Sequence, residues 1–329
     1  MNRSAAASVP SRRWKSWLSL AVLLVLAVWA GTYVTQNLDR FRELELSNGS
    51  ALLVMVLAYL ARHALQGLEL QTLSRILRVR LRWFEATLLS LCAALFDIIT
   101  PLKGGLATKV FYLRTRHGLT YSRVAALLAG SQVLVMSGAA LVGLFAGLAG
   151  MGGNANGSAE LSLFFFLALI VLILLSWIWD RVPKRFRFPM FDRVLTAWHQ
   201  VRGAHAMVAA NLAFAVIKLC LRGIMVGAGF AALGHELGVA QGLLLAAALE
   251  FSVIFSITPA GLGVTESVIT LVGVMVGVDA PVALGAALLW RTLGVAMAMT
   301  FGSGAYLGLF HSPVCTVSEQ GEIRDEGTS

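Results

Sequence analysis

Long apolar stretches alternate with short basic segments along most of this chain of 329 residues. Six of them approach or exceed the roughly 20 residues that cross a bilayer as a helix: 17–36, 51–71, 124–149, 161–179, 207–233 and 282–310. Two more, 84–100 and 241–258, each run into a Thr-Pro pair and a glycine cluster, and short helical stretches follow at 104–115 and 264–278. The first run, Trp17 to Val34, follows Arg12-Arg13-Trp14-Lys15 as a signal peptide's core would. It is too long for that and no small-x-small cleavage site clearly follows, so it is expected to be a retained helix. The pattern predicts an all-α polytopic membrane protein with six spanning helices plus two re-entrant hairpins. Residues 1–310 are expected to form one transmembrane domain, with 311–329 a disordered cytoplasmic tail.

The two interruptions resemble each other. Thr100-Pro101-Leu-Lys-Gly-Gly105 aligns with Thr258-Pro259-Ala-Gly-Leu-Gly263, 158 residues further on. Downstream, Gly118-Leu-Thr-Tyr-Ser-Arg-Val-Ala125 resembles Gly277-Val-Asp-Ala-Pro-Val-Ala283. Segments 51–149 and 207–310 therefore read as one unit used twice. Proline removes a helix donor and breaks the ladder, and glycine reaches backbone angles that other residues avoid. Irregular backbone at membrane depth is tolerated only when buried in protein or lining an aqueous cavity. The predicted break residues are Pro101, Gly104, Gly105, Pro259, Gly261 and Gly263. A helix restarting after each break would begin with free N–H groups suited to an anion. The competing reading is a plain extramembrane loop at each position, strongest for 258–264, where both arms are apolar.

Charge sets the orientation. Hydrophobic residues make up 58% of the chain and charged residues only 13%, about half the usual share for a soluble domain. The net charge of +9 therefore reads as a positive-inside signal and not as a nucleic-acid surface. Basic residues crowd the N-terminus and segments 72–83, 109–123 and 180–206, whereas 150–160 and 234–240 hold no Lys or Arg. Both termini are thus expected in the cytoplasm of a bacterium, in its inner membrane. The two hairpins then return to opposite faces, which makes the repeat one of inverted topology.

Several charges fall at predicted membrane depth, where each costs about 2.5–3.5 kcal/mol to insert. Arg62 and Glu69 share a helical face with Gln66, and His63 lies beside them. Lys218 and Arg222 share another face with Asn211. Asp97 precedes the first break, with Lys103 and Lys109 after it; Glu250 and Glu266 flank the second, and Arg291 lies in the last helix. Structural ion pairing and snorkelling are the plain alternatives for each. Lys109, Arg114 and Arg116 are expected near the cytoplasmic surface, and His63 is expected to pack or hydrogen-bond. As a set, the bases suit a phosphate, whose oxygens match the paired donors of arginine. The acids would balance them or carry a coupling proton. No Walker loop, His-Glu-x-x-His, Cys-x-x-Cys or nucleophile elbow is present, so neither ATP hydrolysis by that route, nor a metal, nor a cofactor is expected.

Asp97-Ile-Ile-Thr-Pro-Leu-Lys-Gly-Gly105 with Lys109, Arg114 and Gly118, and Thr258-Pro-Ala-Gly-Leu-Gly-Val-Thr-Glu266 followed by Arg291, resemble motifs of the lysylphosphatidylglycerol synthase transmembrane-region family. The resemblance spans about residues 50–310. It implies flipping or transport of aminoacylated or glycosylated lipids, with Glu266 and Arg291 as the recurrent acid and base. Lys103-Gly104-Gly105 stands where many relatives are expected to carry a Gly-Glu pair. No soluble aminoacyl-transferase domain follows 310, so synthesis of lysyl-phosphatidylglycerol is not expected.

The expected function is movement of an anionic or lipid-linked substrate between leaflets without ATP, the substrate being a phospholipid, glycolipid or polyprenyl phosphate. Membrane lipids are the expected partners, with a lipid-modifying enzyme encoded nearby as another. Two rival classes remain: a non-transporting partner of a lipid-modifying enzyme, and an intramembrane transferase drawing on Asp97, Glu250 and Glu266.

Overall fold

A computed structural model describes residues 48–76, 79–100, 104–150, 158–181, 205–255 and 261–310, and within these all regular structure is helical. The first predicted span, the breaks at 101–103 and 256–260, most of the basic segment 180–206 and the tail lie outside the described residues. Pro101, Lys103 and Pro259 are among those left out.

The chain forms α1 (Gly49–Ile76), α2 (Trp83–Ile99), α3 (Gly104–His117), α4 (Tyr121–Gly150), α5 (Ser158–Arg181), α6 (His205–Ala232), α7 (Val239–Phe255), α8 (Val264–Met275), α9 (Ala280–Met297) and, after a π-turn at Ala298–Gly302, α10 (Ser303–Phe310). Four described segments are long and apolar enough to cross a membrane: Gly49–Arg75, Leu127–Gly150, Val208–Ala232 and Ala280–Phe310. The apolar stretches Ser158–Leu174, Val239–Ile254 and Val264–Met275 are shorter. The helices begin and end close to the expected limits. The clearest extension is α1, which continues to Ile76 into the segment expected as a basic loop.

Helix lengths recur in order. α1 and α6 have 28 residues each, α2 and α7 have 17 each, α3 and α8 have 14 and 12, and α4 has 30 against 31 for Ala280–Phe310. α1 packs along α6, and the pair is antiparallel. Glu69 of α1 meets Lys218 of α6, while further up α1 the Met55 side chain lies 3.6 Å from where a Cβ on Gly229 would stand. Around this central pair, α2 packs on α1, on the π-turn and on α10; α7 packs on α6 and on α4.

Two close approaches fix the flanking helices. A Cβ on Gly67 would stand 2.8 Å from the backbone nitrogen of Thr87 on α2. A Cβ on Gly223 would stand 3.3 Å from the carbonyl oxygen of Gly242 on α7. Only glycine lets backbones meet this closely, as small residues do between membrane helices. The cores follow the same division. Leu89, Cys92, Leu113 and Met225 are buried in one cluster; Phe165, Phe230, Leu245 and Ala283 are buried in the other. Trp290 borders both. The outward faces of α1 and α5 carry exposed Leu53, Leu57, Leu163 and Leu167, as a lipid-facing surface requires.

Candidate functional site

Arg62 and Lys218 fall at the middles of their 28-residue helices. At 1.5 Å per residue each helix is about 42 Å long, so these charges lie roughly 20 Å from either end. Beside them is a cavity of about 660 Å³ between α1, α2, α3, α4, α6, α7, α8, α9 and the π-turn. Its wall includes Arg62, Glu69, Asp97, Lys109, Lys218, Arg222, Glu250 and Arg291. The structure thus brings together the described candidates from both halves of the chain, with Glu266 standing behind Arg291.

Most of these charges are already matched. Lys218 and Glu69, both under a tenth exposed, form a short ion pair between α6 and α1, and Glu69 also accepts from Ser131 of α4 at 2.8 Å. Arg222 Nη1 is 2.9 Å from Glu250 Oε1, joining α6 to α7. Arg291 Nε is 3.6 Å from Glu266 Oε1, joining α9 to α8. A buried pair of this kind offsets the cost of taking each charge out of water, and removing one partner is more damaging than removing both.

The helix starts after the breaks are not free as the sequence led us to expect. The Gly105 N–H donates to Asp97 Oδ1 at 2.8 Å, so a carboxylate from α2 caps α3. Gly105 must be glycine for this approach, since a Cβ there would run into the Asp97 carboxylate. At the second break, the Gly263 N–H donates to Glu266 Oε2 at 2.8 Å, and Gly261 and Gly263 take left-handed φ values of 67° and 82°. Acids at helix N-termini satisfy orphan donors and meet the positive end of the dipole. Glu266 therefore holds its own helix with one oxygen and Arg291 with the other.

His63 is buried, as expected, and hydrogen-bonded. Ser90 Oγ donates to Gln66 Oε1 at 2.7 Å and lies 3.0 Å from His63 Nδ1. With its own proton committed to Gln66, the serine oxygen accepts from His63, which fixes the Nδ1–H tautomer. Tyr59 stacks beside the ring at 4.5 Å between centroids.

A second polar cluster escaped the sequence. Tyr112 Oη donates to Glu85 Oε1 at 2.7 Å, and His117 Nε2 lies 3.0 Å from the same oxygen. This ties the C-terminal half of α3 to the start of α2, outside the four long spans. Burial alone would push the Glu85 carboxyl up, but the bonds from His117 and Tyr112 outweigh it and hold it below the usual carboxylate value. Burial and then the bond to Glu85 push the Tyr112 phenol up. Arg116, expected at the surface, is half-buried and donates to the Leu309 carbonyl at 3.3 Å. Arg114, by contrast, is exposed and stacks over Tyr121 at 4.0 Å. The signal for the Glu85 cluster was an acid at the start of one arm and a Tyr-x4-His at the end of the other.

Helices of spanning length around a charged interior cavity define a multi-pass α-helical membrane protein. A comparison with family models makes the assignment narrower: the lysylphosphatidylglycerol synthase TM region matches residues 16–302. The chain belongs to that family. No curated protein matches it. Among the described residues no cluster of His, Cys, Asp and Glu is arranged to hold a metal ion.

Proposed function

We propose that this protein moves an anionic, phosphate-bearing lipid between the leaflets of the bacterial inner membrane without ATP hydrolysis. One observation carries the reading: a cavity of about 660 Å³ between spanning helices, walled by five bases and by acids bonded to bases or to helix starts. A headgroup crosses the hydrocarbon at high cost unless charge and hydrogen bonds meet it there. A polar cavity supplies both while the acyl chains stay in lipid. Glu266 and Arg291 are the exchangeable element. An incoming phosphate takes the place of Glu266 Oε1 on Arg291, while Oε2 keeps the Gly263 cap.

The recurring helix lengths support an inverted-topology repeat with six spans and two re-entrant hairpins. Antiparallel α1 and α6 would be related across a pseudo-twofold axis. Packing of α2 on the π-turn and α10 would then be the counterpart of packing of α7 on α4. Gly67 and Gly223, 156 residues apart, would be the same close approach in each half. Both termini are proposed to be cytoplasmic, and a lipid-modifying enzyme is the proposed partner.

The test is reconstitution into liposomes with labelled lipids. Wild-type protein is expected to move an anionic phospholipid between leaflets faster than protein-free liposomes. Glu266→Gln and Arg291→Ala are expected to abolish that excess rate at equal folded yield, whereas Arg80→Ala, at an exposed position, retains it. If wild-type and both variants move every lipid tested at one rate, transport yields to the rival reading of a non-transporting partner.

A further inference from the structure

Arginines crowd one end of the bundle, away from the cavity. Arg75 closes α1, Arg80 and Arg82 precede α2, Arg114 lies in the last turn of α3 and Arg123 in the first turn of α4. All five are exposed. Contacts gather these helix ends into one face. Gln71 Nε2 donates to the Leu81 carbonyl at 3.0 Å, Tyr112 Oη donates to Glu85, and the Arg114 guanidinium stacks on Tyr121. None of the five makes an ion pair with a described residue. The acid among them, Glu85, is already taken by Tyr112 and His117.

A second observation places the end of α10 at the same face. Arg116 Nη2 donates to the Leu309 carbonyl at 3.3 Å, and the Phe310 ring stands edge-on to Tyr112 with 5.8 Å between centroids. Residues 311–329 therefore start beside the arginines. That segment carries Glu319, Glu322, Asp325 and Glu326 against a single base, Arg324. Four negative charges and one positive leave −3, in a chain whose net charge is +9. Glu319 is nine residues beyond Phe310, a reach of about 30 Å when the backbone is extended. The later acids reach further still.

We infer that residues 311–329 dock by charge on this arginine face, as a strap across the end of the bundle. Arginine offers a carboxylate two parallel donors. Each exposed contact of this kind is weak and is screened by salt. Tethering compensates, because a segment joined to its seat by a short linker meets it at an effective concentration in the millimolar range. An anionic leaflet offers the same sign of charge, but its lipids must displace acids that cannot diffuse away. The polarity that marked 311–329 as disordered is compatible with this seat, since charge pairing asks for no helix or strand. Docked, the strap shields the basic end of α3 from anionic headgroups. The inference concerns the protein's surface and stands whether or not the cavity moves lipid.

The experiment is arginine footprinting of the full chain with phenylglyoxal, read by peptide mass spectrometry. The protein is held in nanodiscs of phosphatidylcholine alone, where the strap has no anionic competitor, and of phosphatidylcholine mixed with phosphatidylglycerol. Wild type is compared with a variant carrying Glu319→Gln, Glu322→Gln, Asp325→Asn and Glu326→Gln, which alters no described residue. In phosphatidylcholine at low salt, Arg80, Arg82 and Arg114 are expected to react about threefold or more faster in the variant, and high salt should erase that difference. Arg187, in the basic segment 180–206, is the reference and should react equally in both proteins. The protection of wild type should persist when phosphatidylglycerol is present.

Equal rates for the two proteins in phosphatidylcholine would overturn the inference. So would a difference that extends to Arg187, since it would report a general effect of charge. If phosphatidylglycerol slows all three arginines to one rate in both proteins, the face belongs to the membrane surface and the strap is again overturned.

Discussion

Replacing Gly67 by alanine sets two effects of opposite sign against each other. In a helix interior, alanine is favoured over glycine by about 1 kcal/mol. The new Cβ, however, would stand 2.8 Å from the Thr87 nitrogen and 2.9 Å from its Cα, where ordinary contact begins near 3.4 Å. Backbone cannot rotate aside as a side chain does, so α2 must retreat by roughly 0.5 Å from α1. Overpacking of this kind costs about 1–3 kcal/mol; a backbone contact this short lies at the upper end of that range, so after the propensity gain the net loss is about 2 kcal/mol. Gly223→Ala is the internal control. Its Cβ would stand 3.3 Å from the Gly242 oxygen, a shortfall of a tenth of an ångström, so the propensity gain should roughly cancel the strain. Thermal unfolding of purified protein in one detergent, followed by circular dichroism, reads the difference. Gly67→Ala should unfold several degrees below wild type and Gly223→Ala within about 1–2 °C of it, on a scale of about 2–4 °C per kcal/mol. Equal midpoints for Gly67→Ala and wild type would refute the steric argument, and an equal fall in both variants would show that the two approaches are alike.

Two further outcomes follow from the ion pairs. Lys218→Met leaves Glu69 buried without its base and should lower stability by about 3–5 kcal/mol, whereas Lys218→Met with Glu69→Leu should recover most of that loss; a double variant as unstable as the single one would show that the pair is held for its surroundings. Glu85 has its folded carboxyl held below the usual value, so its contribution is fully present above the unfolded value of 4.5 and is lost as pH falls through the folded one. Lowering the pH from about 5 to about 3 should therefore depress the thermal midpoint of wild type more than that of Glu85→Gln, and parallel pH profiles would contradict the bonds from His117 and Tyr112.

Helices were legible wherever apolar runs ended at punctuation. Thr100-Pro101 marked the end of α2, which stops at Ile99, because proline disfavours helix in the residue before it; Thr258-Pro259 lies outside the described residues. α1 outran its expected end because Gln71 to Ile76 continue a helical face that packs inward, with Leu73 and Ser74 buried, even though hydropathy falls. Candidate charges were legible by type, since an ionisable group in an apolar run is rare enough to mark itself. Their partners were not. Glu69 and Lys218 are 149 residues apart, and which acid meets which base depends on how α1 crosses α6. The role of Asp97 was likewise hidden. A carboxylate eight residues before Gly105 becomes a cap only because the chain folds back between them. Glu266 was closer to readable, as it lies three residues after Gly263 at the start of a helix, the spacing of an N-terminal capping acid.

Four buried donors on the cavity wall, Tyr59 Oη, Arg62 Nε, Arg222 Nε and Trp290 Nε1, have no hydrogen-bond partner among the described residues, and they bear on how the protein must be handled. Each buried donor without an acceptor weighs against the folded state by about 1–3 kcal/mol. Any solute that brings oxygens into the cavity removes part of that burden and binds only the folded chain. Its concentration then sets the folding equilibrium by mass action. The surrounding lipid is in this sense a constituent of the protein's stability. Exchanging lipid for detergent changes the thermodynamic state being measured, so a melting point recorded in one amphiphile has no fixed meaning in another.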